Sequence, residues 1–469
     1  MSSTTTQFRR AHQVLPDELV DVQHSWRLAD MASRCPVEGV TAGQRFDPFF
    51  DGLWEDGSSA VWTNREVSSR LEQVGFTKVP KLMRMPADRA RVSLLSGRLW
   101  TEKLRFLAAL DSWRTLTCEQ AAAMAGTNNL LDAASTIPRS MWNLDLIDLG
   151  QFRGMTGRGF SRRGWLYRPA RTQAFDNEVV PNLTLPEWVG VTAGLPWDPG
   201  GQFDRHNVLA TELGLRAAEF ADVGAVLGEK LSKAELLCAH LPPGLLPRGE
   251  TKAADLTIVR RDGLRIAVEV TANQSATFSR KVQRWAQLLD SAPLADSGLV
   301  VVFVVARPAG STEGRSLRNL VAKRIAHETK AWPGQVGDRV ADRMFVASWQ
   351  EWFPARHRLA PGFLSLRALS PSGPAGDLWQ VKQLLGETAL PFRPRNPAAV
   401  RAVLHNSQAL AGVPWWIRQP EVAPSVADLL LSRVDRDAIP AGPASGGLAL
   451  YENPGPIGET GLPPRLRWL

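Results

Sequence analysis

Tyrosine is nearly missing from this chain, with 2 residues in 469 against 17 tryptophans. Cysteine is almost as scarce. The 3 cysteines, Cys35, Cys118 and Cys238, lie far apart and share no metal-ligand spacing, which excludes a disulfide scaffold and a zinc-finger module. No signal peptide is recognisable, so a reducing cytoplasm is the expected setting. The longest apolar run, residues 298–306 (GLVVVFVVA), falls far short of the about 20 residues a membrane helix needs. It reads as a buried strand, and no membrane partner is expected. No internal repeat is present. One further absence is local: residues 150–171, GQFRGMTGRGFSRRGWLYRPAR, contain no acid.

What is present begins with charge. The net charge is +8 and the pI about 9.7, which favours an anionic partner such as nucleic acid, bound locally because the excess is modest for the length. The length predicts several domains, each able to bury a core. Residues 1–15 read as a disordered N-terminus. Residues 16–98 carry no assignable role, although Asp47-Pro48-Phe49-Phe50 and Leu53-Trp54 suggest an aromatic lid. Thr63 or Asn64 caps a short helix over 63–74.

Residues 99–171 are more informative. An amphipathic helix is expected over 101–113, with Leu104, Leu107 and Leu110 inward. Thr117-Cys118-Glu119-Gln120 is a capping box that opens a helix ending at Gly126. A third helix is expected over 130–144, interrupted by Pro138, before a strand at Ile147. Helix, short helix, turn, helix, strand is the order of a winged helix–turn–helix. The acid-free segment supplies the wing: Arg153, Arg158, Arg162, Arg163 and Arg168 alternate with aromatic residues and glycines. Counterion release rewards such clustering on a phosphate backbone. The third helix offers Arg139, Ser140 and Asn143 to a groove. Winged folds without DNA, and Arg-rich loops that are merely solvated, are the plainer alternative.

Residues 172–203 read as a linker or wrapped loop. A strong helix follows over 204–220, with Glu212 and Glu219 two turns apart; His206, in its first turn, reads as a helix-start residue packing on a loop. The chain then centres on residues 254–289. Leu256 and Ile258, then Ile266, Val268 and Val270, alternate as half-buried strands do. Arg261-Asp262-Gly263 is their hairpin turn. Asp255 opens the first strand, Glu269 lies inside the second, and Lys281 follows on a helix. A carboxylate between two valines needs a partner, because an unpaired buried charge is costly. Two acids beside a lysine suit a divalent-metal phosphodiesterase. The plainer alternative is an edge strand with Glu269 paired to Arg265. A helix over 315–332 and a strand at 345–347 complete an α/β layer with one mixed sheet. Residues 357–469 are rich in proline and glycine, with helical pieces expected over 377–385, 397–411 and 425–433. Trp415-Trp416 reads as packing.

In this order, winged helix, basic wing, helix opening on His206-Asn207, Asp/Glu hairpin with Val268-Glu269-Val270, and Lys281-x-x-x-Trp285, the chain resembles the replication-relaxation family of plasmids and mobile elements. Its second half, residues 204–356, is similar to the PD-(D/E)XK restriction-endonuclease-like core. The resemblance implies metal ligation by Asp255 and Glu269, with Glu212 the acid of the first core helix. Thr271 stands where that pattern has lysine, so Lys281 would return the ammonium from the next helix. Mg²⁺ is implied if the site is active, and no cofactor otherwise.

The expected architecture is therefore α/β within a multi-domain α+β chain: a winged helix–turn–helix, then a nuclease-like mixed-sheet core. The expected function is a cytoplasmic double-stranded-DNA-binding protein of a plasmid or other mobile element, acting in replication, relaxation or transfer with protein partners. A metal-dependent nickase using Glu212, Asp255, Glu269 and Lys281 is the alternative, and a protein–protein assembly factor the third.

Overall fold

The computed structural model describes residues 11–12, 15–55, 57–76, 79–153, 164–197, 203–237, 253–273, 276–307, 316–372 and 378–418. The first half is organised around a four-stranded sheet. Its strands are β1 (Ser59–Thr63), β2 (Leu116–Thr117), β3 (Ile147–Arg153) and β4 (Leu166–Pro169), in the spatial order β1-β3-β4-β2. Helices α1 (Ala87–Leu95), α2 (Trp100–Trp113), α3 (Cys118–Ala125) and α4 (Thr136–Asn143) pack with it. The Thr117–Gln120 capping box forms, and Gly126 ends α3 at φ +75°. The third helix is shorter than its sequence suggests. It begins at Thr136, so Pro138 lies in the first turn, where the amide hydrogen it lacks has no helical partner to lose. A separate short turn, Asn128–Leu130, precedes it.

Residues 172–203 are more than a linker. They include helix α5 (Leu185–Thr192), opened by a second capping box on Thr184 and Glu187, and Phe175 stacks on Trp197 at 4.1 Å. Helix α6 (Asp204–Phe220) then leads into a mixed sheet. Its strands are β5 (Ala225–Gly228), β6 (Leu256–Val259), β7 (Arg265–Thr271), β8 (Leu299–Val305), β9 (Met344–Ser348), β10 (Arg367–Pro371) and β11 (Trp379–Gln383). Counting the two-residue strand Ala11–His12 beyond β11, the sheet has eight strands in sequence order along its width except for that edge. Strands β7, β8 and β9 run parallel; the other pairings are antiparallel. Parallel central strands are covered on both faces, and β7 and β8 are buried throughout. Ile266, Val268 and Val270 pack toward α6, whereas Ala267, Val301 and Phe303 lie under α7 (Ala276–Ser291) and α8 (Leu317–Ala331).

Several expected boundaries differ. Strand β1, from the 16–98 region, pairs with β3. Strands β10 and β11 lie beyond residue 356 yet belong to the sheet. The helix expected over 377–385 is instead β11, because alternation against β10 outweighs its local helical character. Ala11–His12, inside the segment read as disordered, pairs with β11. Helix α9 (Pro397–Ala409) matches the expectation over 397–411, and that over 425–433 lies outside the described residues. The aromatic lid is real packing: Trp54 donates its indole hydrogen to Ala306 at 2.7 Å, and Phe49 stacks on Trp349.

Candidate functional site

The hairpin β6–β7 turns at Gly263, whose φ of +86° favours glycine. Its register pairs Leu256 with Val268, and the Asp255 amide donates to the Val268 carbonyl at 2.9 Å. The ladder ends at Leu256, and the Asp255 carboxylate just beyond it takes the Val270 amide, which brings its charge to bear on Glu269. Strand β7 is central, between β6 and β8, and Arg265 donates to the Leu237 and Ser297 carbonyls. The edge-strand reading with a Glu269–Arg265 pair is therefore not what forms.

Glu269 is 1% exposed and finds its donors on α7. Lys281 pairs with one carboxylate oxygen, and the Trp285 indole donates to the other at 2.6 Å. Positions four apart share a helix face, which is why both reach the same acid. Asp255 accepts from the Val270 amide at 2.6 Å and pairs with His206 at 2.9 Å. Trp54 sits over His206, with ring centroids 5.7 Å apart. His206, read from the sequence as a packing residue, is thus an ionic partner of the site. Its sequence signals were its place in the first turn of α6 and the His206-Asn207 opening on which the resemblance partly rests.

The electrostatics follow from burial against charge. Burial pushes the Glu269 carboxyl up and the neighbouring Asp255 charge adds to this; Lys281 and Trp285 oppose both, and the group titrates near about 7. Burial also favours neutral Lys281, but Glu269 and Asp255 outweigh it and hold the ammonium above its ordinary range. Burial pushes Asp255 up; the His206 and Lys281 charges, with the bonds from His206 and Val270, bring it below its ordinary value. For His206, burial pulls down and Asp255 more than compensates, so the imidazole is held up. A fifth ionisable group, Glu229, has its pKa raised by burial and by Asp255, with Arg114, His206 and Lys281 opposing. Arg114 is buried and adopts φ +70°, the kind of backbone strain that surrounding structure must hold in place. Neither Glu229 nor Arg114 carried a sequence signal.

Glu212 does not join this cluster. It is fully buried and paired with Arg45 at 3.1 Å and Arg216 at 3.0 Å, while Gln120 donates to it at 3.3 Å. Arg45 also holds Glu219, and Arg216 holds Asp47. Glu212 therefore ties α6 to the N-terminal segment, in place of the catalytic role expected from the resemblance.

A divalent cation does not fit the donor set as it stands. Both Glu269 oxygens face protein donors, and the Asp255 oxygen nearest the site receives His206 and the Val270 amide. Lys281 and His206 provide the compensating charge. Among the described residues no group of three or more His, Cys, Asp and Glu side chains is arranged to hold a metal. What the cluster can do is take up and release a proton near neutrality at Glu269, beside a fixed ammonium and the His206–Asp255 ion pair.

The expected DNA contacts divide. Arg158, Arg162 and Arg163 lie outside the described residues. Arg153 ends β3, and only its backbone is described. Arg168 is drawn inward: it pairs with Asp148 at 3.0 Å, approaches Asp204 at 3.6 Å and lies 4.2 Å over the Trp62 ring. Arg139 is half-buried and donates to the Leu82 carbonyl; Ser140 and Asn143 are buried, with Asn143 donating to the Met83 carbonyl. Helix α1 thus covers the polar face of α4 that the sequence offered to a groove.

No family model matches the chain, and no curated protein or solved structure matches it either. Among the described residues no helix is long and apolar enough to cross a membrane.

Proposed function

We propose that this chain is a DNA-binding protein of a plasmid or other mobile element, acting in replication, relaxation or transfer. In this reading a winged helix grips the phosphate backbone through its basic tip, and a nuclease-like core follows. The observation that carries the reading is the buried Glu269 of the central hairpin, with the Asp255 charge beside it and Lys281 reaching it from the next helix. The mobile-element setting comes from the family resemblance. The inward use of Arg139 and Arg168 directs the DNA contact to the wing tip, through Arg158, Arg162 and Arg163. A second reading, phosphodiester cleavage, is favoured by one observation: the ammonium absent at Thr271 is restored at Glu269 by Lys281.

Anisotropy titrations with labelled duplex DNA, beside nicking assays on supercoiled plasmid with and without Mg²⁺ or Mn²⁺, separate these readings. Salt-sensitive binding is expected, and R158A/R162A/R163A should reduce the log–log salt slope by about 2–3. An unchanged slope removes the wing from the proposal. Nicking that disappears in Glu269→Ala selects the second reading. No binding at low salt selects a protein–protein assembly role.

A further inference from the structure

Beside the charge cluster, α7 borders a cleft of about 140 Å³, lined by Thr277, Arg280, Lys281, Arg284, Trp285 and Leu288 together with Ala234. We propose that this cleft is a phosphate subsite, holding one phosphodiester of a nucleic-acid strand next to Glu269 and Asp255. The inference rests on the nucleic-acid reading above and gives it a second contact, in the core, separate from the wing.

Three cations of one helix, Arg280, Lys281 and Arg284, converge here within five residues. Lys281 is already matched by Glu269. Arg280 and Arg284 are exposed, and neither has an ion-pair or hydrogen-bond partner among the described residues. Like charges at this spacing repel along a helix. Some exposed arginines elsewhere meet acids, as in Arg91 with Glu178 and Arg339 with Asp342, and others, such as Arg89 and Arg98, meet none among the described residues; Arg280 and Arg284 differ in bordering one cleft together. On α7 two guanidinium groups face a cleft whose lining, among the described residues, has no carboxylate. An anion with several oxygens relieves that repulsion, and the guanidinium fork matches phosphate geometry bidentately. A volume of about 140 Å³ is roughly ten times the ~10–15 Å³ that one water needs by the same measure, enough for a phosphate group. Trp285 and Leu288 give an apolar wall suited to sugar carbons rather than to a second charge. Because Lys281 lines the cleft and also contacts Glu269, a phosphate seated on the arginines lies beside the proton-carrying acid.

The test uses the full chain and labelled oligonucleotides of about 20 residues, single-stranded and duplex, at about 50 and 200 mM salt. For R280A/R284A the expected result is an affinity lower by about tenfold or more at the lower salt, and a salt slope reduced by about 1–2. R280K/R284K, which keeps charge but loses the fork, should recover the slope and only part of the affinity. Both side chains are exposed, and thermal unfolding of each variant verifies that the fold is kept. If R280A/R284A binds either oligonucleotide with the wild-type affinity and slope while R158A/R162A/R163A is weakened, the subsite is overturned and the DNA-binding reading stands. If the wild-type chain binds neither oligonucleotide, both fall together.

Discussion

Glu269 concentrates the chemistry of the molecule at one residue. A carboxyl buried to 1% exposure survives because an ammonium and an indole are aimed at it. Its folded pKa, raised from 4.5 to about 7, makes ionisation unfavourable to folding. The associated stability is therefore complete below about 4.5 and is lost as pH rises through about 7. Glu269→Gln should remove that loss, gaining on the wild type across this window by an amount on the order of 1–3 kcal/mol. Urea midpoints measured from acid to neutral pH check it; parallel curves for the two proteins would show that Glu269 ionises as freely in the fold as outside it. The sequence made Glu269 and Asp255 legible because an acid among alternating valines breaks a pattern. His206, Glu229 and Arg114 broke none, and their part became visible only once three separate segments met.

At the scale of elements, the hairpin and α7 act as one device. The turn sets the register of β6 and β7 and so brings the Asp255 carboxylate to the Val270 amide beside Glu269, and the four-residue spacing on α7 brings Lys281 and Trp285 to the same acid. Gly263 is constrained twice, by φ +86° and by Val400 of α9, whose Cγ1 lies 2.1 Å from where a Cβ would stand. Gly263→Ala should lower stability by about 1–3 kcal/mol in chemical denaturation, with Val400→Ala recovering only the steric part. A wild-type midpoint for Gly263→Ala would mean the turn is free to rearrange. Periodicity identified β7, β8 and α6 well, since one buried face repeats along each. It failed for β11 and for the start of α4, where neighbours from distant segments outweigh local preference.

Over the whole molecule, the segments that looked peripheral are structural. Arg45 from the N-terminal segment holds Glu212 and Glu219, and Trp54 reaches both Ala306 and His206. From the C-terminal side, Gly412 accepts from the Trp113 indole, Trp416 donates to Ala218, and β10 and β11 extend the sheet. A fragment limited to residues 204–356 would leave two buried glutamates without Arg45 and expose the β9 edge. It should show no cooperative unfolding transition by circular dichroism, whereas residues 15–418 should unfold in one. A cooperative fragment would show that residues 204–356 fold independently.

By itself the sequence determined the kinds of element, the hairpin, the acid pair and the lysine that follows it, because these depend on spacings of two to four residues that local backbone geometry dictates. The tertiary structure alone decided which cation meets which acid. Arg168 left the expected wing for Asp148 and Asp204, Glu212 went to Arg45 and Arg216, and Asp255 went to His206. A charge is neutralised by what lies about 3 Å away in space, and among the described residues such partners come from segments up to 305 positions apart, as Asp51 and Arg356 do.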